Sequence, residues 1–480
     1  MSPRSTLESC LALAATAALV LGGWGCEATG SKTAAEAGPG GPPPKAYETF
    51  DMVWELVDTR HFDPDHNGVD WVAVRQEYRP LVADTRSDRD LQVLLSRMLD
   101  ELGQTHFVII PESVTPAPRE SEAEAGSDAN EADDAPGAGT TGLRLEWFGD
   151  EPIVAEVDPG SEADAAGIRP GWLVLEVDGR SPSDVLGDFH RAAIESGSPF
   201  ARYESLARLN GMASRPVGDV ARFRFVDGSG TEIERELAFA AERGERATFG
   251  LLPSTATRVD LRILTPAELA AFGIEGADDL RIAHLRFNIW LFPILVPIAE
   301  AVDEHRDVDG FIIDLRGNPG GIGGLSMGVA GHFMAEPESL GDMKMRDATM
   351  HFTVNPQRAT PDGRLVDPFA GPLAIILDGA SASTSEVFAA GLQQLDRATV
   401  VGRASAGAAL PAHFSTLPNG DGFMFAVADF LGPAGTSIEG AGVVPDIEVP
   451  IDRNLLLEEG EPDVAAAARW IAGELRDQSS

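Results

Sequence analysis

Two glycine- and serine-rich loops carry the residue types that can do chemistry in this chain. The first reads Phe311-Ile312-Ile313-Asp314-Leu315-Arg316-Gly317-Asn318-Pro319-Gly320-Gly321, and the second reads Ile376-Leu377-Asp378-Gly379-Ala380-Ser381-Ala382-Ser383-Thr384-Ser385-Glu386. Each begins in an apolar run that reads as a buried strand, so each loop leaves the carboxyl end of a strand, where open α/β sheets place their sites. In the first loop, glycines let backbone N–H groups point at an anion, either a phosphate or an oxyanion. Phosphate is the weaker reading: there is no Gly-Lys-Ser/Thr, and the glycines at 317, 320, 321, 323 and 324 do not give GxGxxG. In the second loop, a serine at the start of a helix gains from the positive helix end, which stabilises charge developing at a nucleophile. By residue type alone, Ser381, Ser383 and Ser385 serve equally well as helix caps.

The elements that must position these loops follow from periodicity. Expected strands at Ile282 to Phe287, Gly310 to Leu315, Leu373 to Leu377 and Thr399 to Val401 alternate with expected helices at Phe292 to Ala301, Gly323 to Met334 and Ser385 to Leu395, which argues for an α/β core. Upstream, Leu91, Leu94, Leu95, Met98, Leu99 and Leu102 form a helical stripe capped by Ser87 or Asp88 and stopped by Gly103. His106 follows that stop, and Phe107 to Ile110 reads as a short buried strand. Between helical region and core, alternating segments from Leu143 to Phe239 read as a small β-rich domain. Seven acidic residues between Glu120 and Asp134, with no aromatics among them, mark 113–140 as a solvated linker expected to be disordered.

Composition narrows the functions available. The formal charge is −39, which excludes nucleic acid held by basic patches as the default partner. Only three lysines occur, Lys32, Lys45 and Lys344, and the two cysteines, Cys10 and Cys26, lie near the N-terminus, too few for a disulfide framework or a four-cysteine zinc site. His61 and His66 flank Asp63 and Asp65, but a polar turn before Trp71 explains that cluster, and no metal or cofactor is expected. Arg4, the apolar run from Leu11 to Leu21 and the small residues before Cys26 read as an export signal too short to span a bilayer. A cysteine in that place resembles the lipidated first residue of a bacterial lipoprotein.

Taken together and in order, these segments resemble the tail-specific or C-terminal-processing protease family of serine peptidases, family S41. The resemblance rests on Phe62-Asp63-Pro64 to Trp71, Leu102-Gly103-Gln104-Thr105-His106, the two loops, Val400-Val401-Gly402, and Glu439-Gly440-Ala441-Gly442-Val443-Val444-Pro445-Asp446. It implies Ser383 as nucleophile, three positions before the helix glutamate, and an oxyanion hole from the N–H of Thr384 and one of the Gly320-Gly321 pair. One branch of the family activates the serine with a lysine after Val-Val-Gly. That position is Ala408 here, and Lys344 lies in an unrelated segment. The other branch, similar to the tricorn core protease, uses a histidine base beside a Ser or Thr together with a later glutamate, which implies Thr105, His106 and Glu439.

The β-rich segment resembles a PDZ domain. Gly142-Leu143-Arg144-Leu145 matches its carboxylate-binding loop and first strand, and the stretch from Gly160-Ser161 to Pro170-Gly171 with Val177-Asp178-Gly179 matches its middle. Such a domain adds a peptide strand to a sheet edge and caps its carboxylate.

The expected organisation is a multidomain α+β protein with a PDZ-like domain and a ClpP/crotonase-like catalytic core. Its parts are a signal peptide at 1–25, a flexible tether at 26–46, a helical region at 47–112, the acidic linker at 113–140, the PDZ-like domain at 141–242, the core at 243–455 and a C-terminal helix at 456–480. The expected function is that of an exported serine endopeptidase, periplasmic or in the bacterial cell envelope. It would be lipid-anchored through Cys26 and act on protein or peptide substrates with accessible C-termini. The alternative is a catalytically inactive homologue that binds peptides through the PDZ-like domain.

Overall fold

The alternation after Ile282 resolves into one six-stranded sheet. The computed structural model describes residues 41–114, 138–360 and 362–478; the expected signal peptide, Cys26, most of the tether and most of the acidic linker lie outside the described residues. The sheet runs in the order Val259–Ile263, Ile282–Phe287, Gly310–Asp314, Leu373–Leu377, Thr399–Gly402, Ile447–Glu448. The first pair is antiparallel and the rest are parallel.

Because side chains alternate across a strand, each strand feeds both faces. Ala283, Leu285, Phe311, Ile313, Ile375 and Leu377 pack on one side against helices Leu295–Glu304, Leu325–Ala330 and Thr384–Gln394. On the other side, Ile282, Ile312, Ala374, Ile376 and Val401 meet Leu269, Val464, Ala468 and Ile471. The last three sit on Pro462–Gln478, so the C-terminal helix is one layer of the core rather than an appendage. The helix expected over Gly323 to Met334 is confined to Leu325–Ala330, where glycines at 323, 324 and 331 flank a short apolar stretch.

Upstream, Ser87 Oγ accepts the Asp90 N–H at 3.1 Å, and helix Asp88–Asp100 buries Leu91, Leu94, Leu95, Met98 and Leu99. That cluster takes in Phe423 and Phe425 from the core. The connection is made in register by Val108–Ile110, which pairs antiparallel with Gly422–Ala426. A histidine far from the second loop in sequence is thereby carried to the core.

The β-rich unit is a five-stranded antiparallel sheet in the order Leu143–Phe148, Glu151–Val157, Leu173–Val177, Val220–Val226, Glu232–Ala238. It carries two helices that strand periodicity did not reveal, Pro182–Ser196 and Pro199–Gly211, each started by a capping serine before proline. The unit is docked on the core through ions. Arg144 reaches Asp378 at 2.8 Å, Arg286 pairs with Glu156, and Arg453 donates to the carbonyls of Gly171 and Asp227.

Candidate active site

The second loop separates its three serines by what each hydroxyl touches. Ser381 Oγ donates to the Leu315 carbonyl at 2.8 Å and accepts the Asp378 N–H at 2.9 Å. Ser385 Oγ donates to the Asn318 carbonyl and accepts the indole N–H of Trp290 at 2.9 Å. Both are wholly buried and tie the two loops together. Ser383 instead lines a cavity of about 330 Å³ at the start of helix Thr384–Gln394. Its backbone is held at φ 54°, ψ −117°, a conformation that non-glycine residues adopt only where their surroundings enforce it. Its N–H is shared by the Ala408 carbonyl at 2.9 Å and Glu386 Oε2 at 2.8 Å.

The first loop approaches so closely that only glycine fits. A Cβ on Gly320 would stand 2.6 Å from the Ser383 Cβ and 2.9 Å from the Thr384 nitrogen, and Gly320 and Gly321 both have positive φ. The Gly320 N–H goes to Asn318 Oδ1 at 3.0 Å, which leaves Gly321 as the donor of the pair that can face a ligand. Thr384 Oγ1 donates to the Gly321 carbonyl at 3.0 Å and pins that peptide. The Thr384 N–H, in the first turn of its helix, has no helical carbonyl to bond. Beneath the loop, buried Asp314 accepts Arg316 Nε at 2.9 Å and Nη2 at 2.6 Å, fixing the turn after the strand.

His106 lines the same cavity as Ser383 and is 5% exposed. Its Nδ1 is 2.7 Å from Thr105 Oγ1, which donates to Glu439 Oε2 at 3.0 Å. Since that hydroxyl proton goes to the carboxylate, the Thr105 oxygen is the acceptor for Nδ1–H, and the Nε2 lone pair is left free to take a proton. Glu439 also accepts the N–H groups of Thr105 at 2.9 Å and Ala409 at 3.0 Å. Burial pushes the His106 imidazole down to about 4, so it is neutral near pH 7, and burial raises the Glu439 carboxyl.

Ala408, where the sequence resemblance puts the lysine of one branch of the family, is fully buried with Tyr203, Ala382 and Ala406. The cavity wall away from the polar groups is apolar, with Met327, Met343, Phe352, Val387 and Phe430 among its residues.

The four residues expected to bind peptide lie elsewhere. Gly142 turns into strand Leu143–Phe148 with φ 82°. Arg144 faces the core, donating to Asp378, to Glu156 at 2.9 Å and to Glu146 at 3.2 Å. The Leu145 N–H and carbonyl are both bonded at 2.9 Å by the side-chain amide of Asn210, from helix Pro199–Gly211.

Sequence reasoning treated Glu386 only as a marker of the motif. The structure makes it a fully buried carboxylate with four donors, and its place three residues after Ser383 in a Ser-x-x-Glu helix start was the available signal.

A serine in an enforced conformation at a helix N-terminus, sharing one cavity with the Gly320-Gly321 loop and a buried histidine, is the arrangement of a serine hydrolase. More narrowly, residues 296–449 match the model of Peptidase family S41 and residues 42–100 that of the Tricorn protease C1 domain, matches that go with a serine-type peptidase. It is 26% identical over 412 residues to carboxyl-terminal-processing peptidase 3, chloroplastic, of Arabidopsis thaliana, covering 83% of this chain and 68% of the relative. To the carboxyl-terminal-processing protease of Synechocystis sp. it is 24% identical over 407 residues, covering 83% and 80%. Among solved structures, the photosystem II D1 C-terminal processing protease superimposes with a TM-score of 0.53 at 20% identity, over 90% of this chain and 98% of that one. Mature CPAF complexed with lactacystin gives 0.57 at 14% identity, over 90% and 99%. These two structures share the fold.

Proposed function

We propose that this serine-type peptidase works through an acyl-enzyme on Ser383 with His106 as general base. The observation that carries the reading is the unbroken chain from Glu439 through Thr105 to His106, ending in the cavity that Ser383 lines. Ser383 Oγ attacks a peptide carbonyl carbon and its proton passes to His106 Nε2. The carbonyl oxygen, now an oxyanion, is received by the N–H groups of Gly321 and Thr384. When the C–N bond breaks, His106 returns the proton to the leaving amine. Water then repeats the cycle and frees the acid. Glu439, acting through the Thr105 hydroxyl, orients the imidazole and stabilises its protonated form.

The same reading places the chain in the lysine-lacking, tricorn-like branch. It takes the β-rich unit as PDZ-like and the core as ClpP/crotonase-like, with substrates that present C-terminal or unstructured segments. It also takes the protein as exported to the bacterial envelope and lipidated at Cys26. Names of relatives that process carboxyl termini support the substrate class. Cleavage of an unstructured reporter peptide by the purified chain from residue 45 tests the chemistry: turnover is expected in the parent and absent in Ser383→Ala, and undiminished turnover in that variant overturns it. Incorporation of a fatty-acid analogue, lost in Cys26→Ser, tests the anchor.

A further inference from the structure

Glu386 sits one turn into the helix that Ser383 begins, is 0% exposed, and accepts four hydrogen bonds. Oε2 takes the N–H of Ser383 at 2.8 Å and of Ala408 at 3.0 Å, while Oε1 takes the hydroxyl of Ser405 at 2.6 Å and the N–H of Gly407 at 2.7 Å. Ser405 Oγ in turn accepts the Val443 N–H at 2.6 Å, which orients its proton toward the carboxylate. Four donors match the lone-pair sites of an ionised carboxylate and leave no acceptor for an acid proton.

We infer that Glu386, as its anion, is the positioning residue of the nucleophile. It locks Ser383 in its strained conformation and ties it to the segment 405–408, which in the lysine branch carries the base. The inference rests on the assignment of Ser383. The mechanism needs the Ser383 hydroxyl within reach of His106 and of the two oxyanion donors at once, and a misplacement of about 1 Å costs on the order of 10²-fold in rate. Backbone at φ 54° does not stay there unaided. The grip on Ser383 N–H and Ala408 N–H through one oxygen supplies the constraint.

Burial pushes the Glu386 carboxyl up to about 7, against the pull of its donors. The titratable group packed beside it is Tyr203, from helix Pro199–Gly211, whose phenol burial keeps neutral. One peptide further on lie Glu439, Thr105 and His106, already described. As pH falls through about 7, Glu386 takes a proton and one of its four donors loses its acceptor. His106, with its value near 4, is still unprotonated there, so the two groups act in separate pH ranges.

The experiment is the pH profile of kcat for the parent, Glu386→Gln and Ser405→Ala on one reporter peptide, with melting temperatures measured beside it. The parent is expected to show an acid limb near pH 7. Glu386→Gln should lower kcat about 10²-fold with KM little changed, and lose that limb while keeping the lower one set by His106. Ser405→Ala removes one donor from the anion, so its limb should move upward in pH. It decides the matter should Glu386→Gln fail to fold. Parent-like kcat in Glu386→Gln, or an acid limb that neither variant moves, overturns the inference. Turnover surviving in Ser383→Ala overturns the nucleophile assignment instead, so the two failures are distinct.

Discussion

Glu386 and Glu439 hold two consecutive peptide groups: the Ala408 N–H donates to Glu386 and the Ala409 N–H to Glu439, each at 3.0 Å. One carboxylate also grips the backbone of Ser383, and the other grips Thr105 beside His106. Under the proposed mechanism, the 408–409 peptide is therefore the rigid link between Ser383 and His106. Two carboxylates gripping adjacent N–H groups fix spacing better than a flexible side chain does, since neither can let go without leaving the buried N–H of Ala408 or Ala409 unpaired.

Breaking the relay at its middle should cost rate without emptying the site. Thr105→Val keeps shape but cannot accept from His106 or donate to Glu439. A fall in kcat of about 10²-fold or more is expected, the usual scale for disabling an acid–base group. Thr105→Ser should recover most of it. Steady-state kinetics on the reporter peptide checks both, and an unimpaired Thr105→Val removes the relay from the mechanism.

The glycine loop should tolerate no side chain at its closest approach. Gly320→Ala places a methyl 2.6 Å from Ser383 Cβ and 2.9 Å from the Thr384 nitrogen, so the loop must withdraw. Withdrawal carries Gly321 away from the oxyanion position, with an expected loss in kcat of about 10²- to 10³-fold, the scale of one lost donor. Parent-like kinetics in this variant would show that the loop takes no part in catalysis.

Introducing a lysine at position 408 should not create a Ser-Lys dyad. Ala408 has no exposed surface and packs with Tyr203, Ala382 and Ala406, so Ala408→Lys overfills the site and buries a charge. The expected result is a stability loss of at least about 1–3 kcal/mol, the cost of overpacking alone, together with reduced peptidase activity. Denaturant unfolding and the peptide assay measure the two effects.

The junction between β-rich unit and core should depend on Arg144 and Asp378. Asp378 is wholly buried, and burial, which opposes its ionisation, is outweighed by Arg144 and Arg403. Arg144→Met leaves Arg403 alone to offset that charge, and a loss approaching but below about 3–5 kcal/mol, the scale of a wholly unpaired buried charge, is expected in denaturant unfolding. Adding Asp378→Asn should recover part of the loss. Additive losses would mean that the pair is not coupled.

Legibility in the sequence followed the range of the interactions. Strands Ile282–Phe287 and Leu373–Leu377 are readable because apolar runs bounded by turn residues report their own burial. Helices Pro182–Ser196 and Pro199–Gly211 were hidden by reading the surrounding strands as one β-rich stretch, although Ser181-Pro182 and Ser198-Pro199 announce them locally. Strand Glu338–Met345 mixes glycine, charge and methionine, and besides Thr349–Val354 it pairs with Ala428–Leu431, much later in the chain. Ser383, His106 and Glu439 could be picked out from motif and resemblance, whereas Glu386 could not be weighed. Its significance lies in donors from 405–408 and in a depth of burial that no local pattern states.

The most direct test of the account is the rate and site of labelling by a serine-reactive fluorophosphonate in the purified chain from residue 45, comparing the parent with Ser383→Ala and His106→Ala. The account predicts one adduct per chain on Ser383, none in Ser383→Ala, and labelling slowed at least about 10²-fold in His106→Ala. An adduct on another residue, or labelling of His106→Ala at the parent's rate, would contradict it.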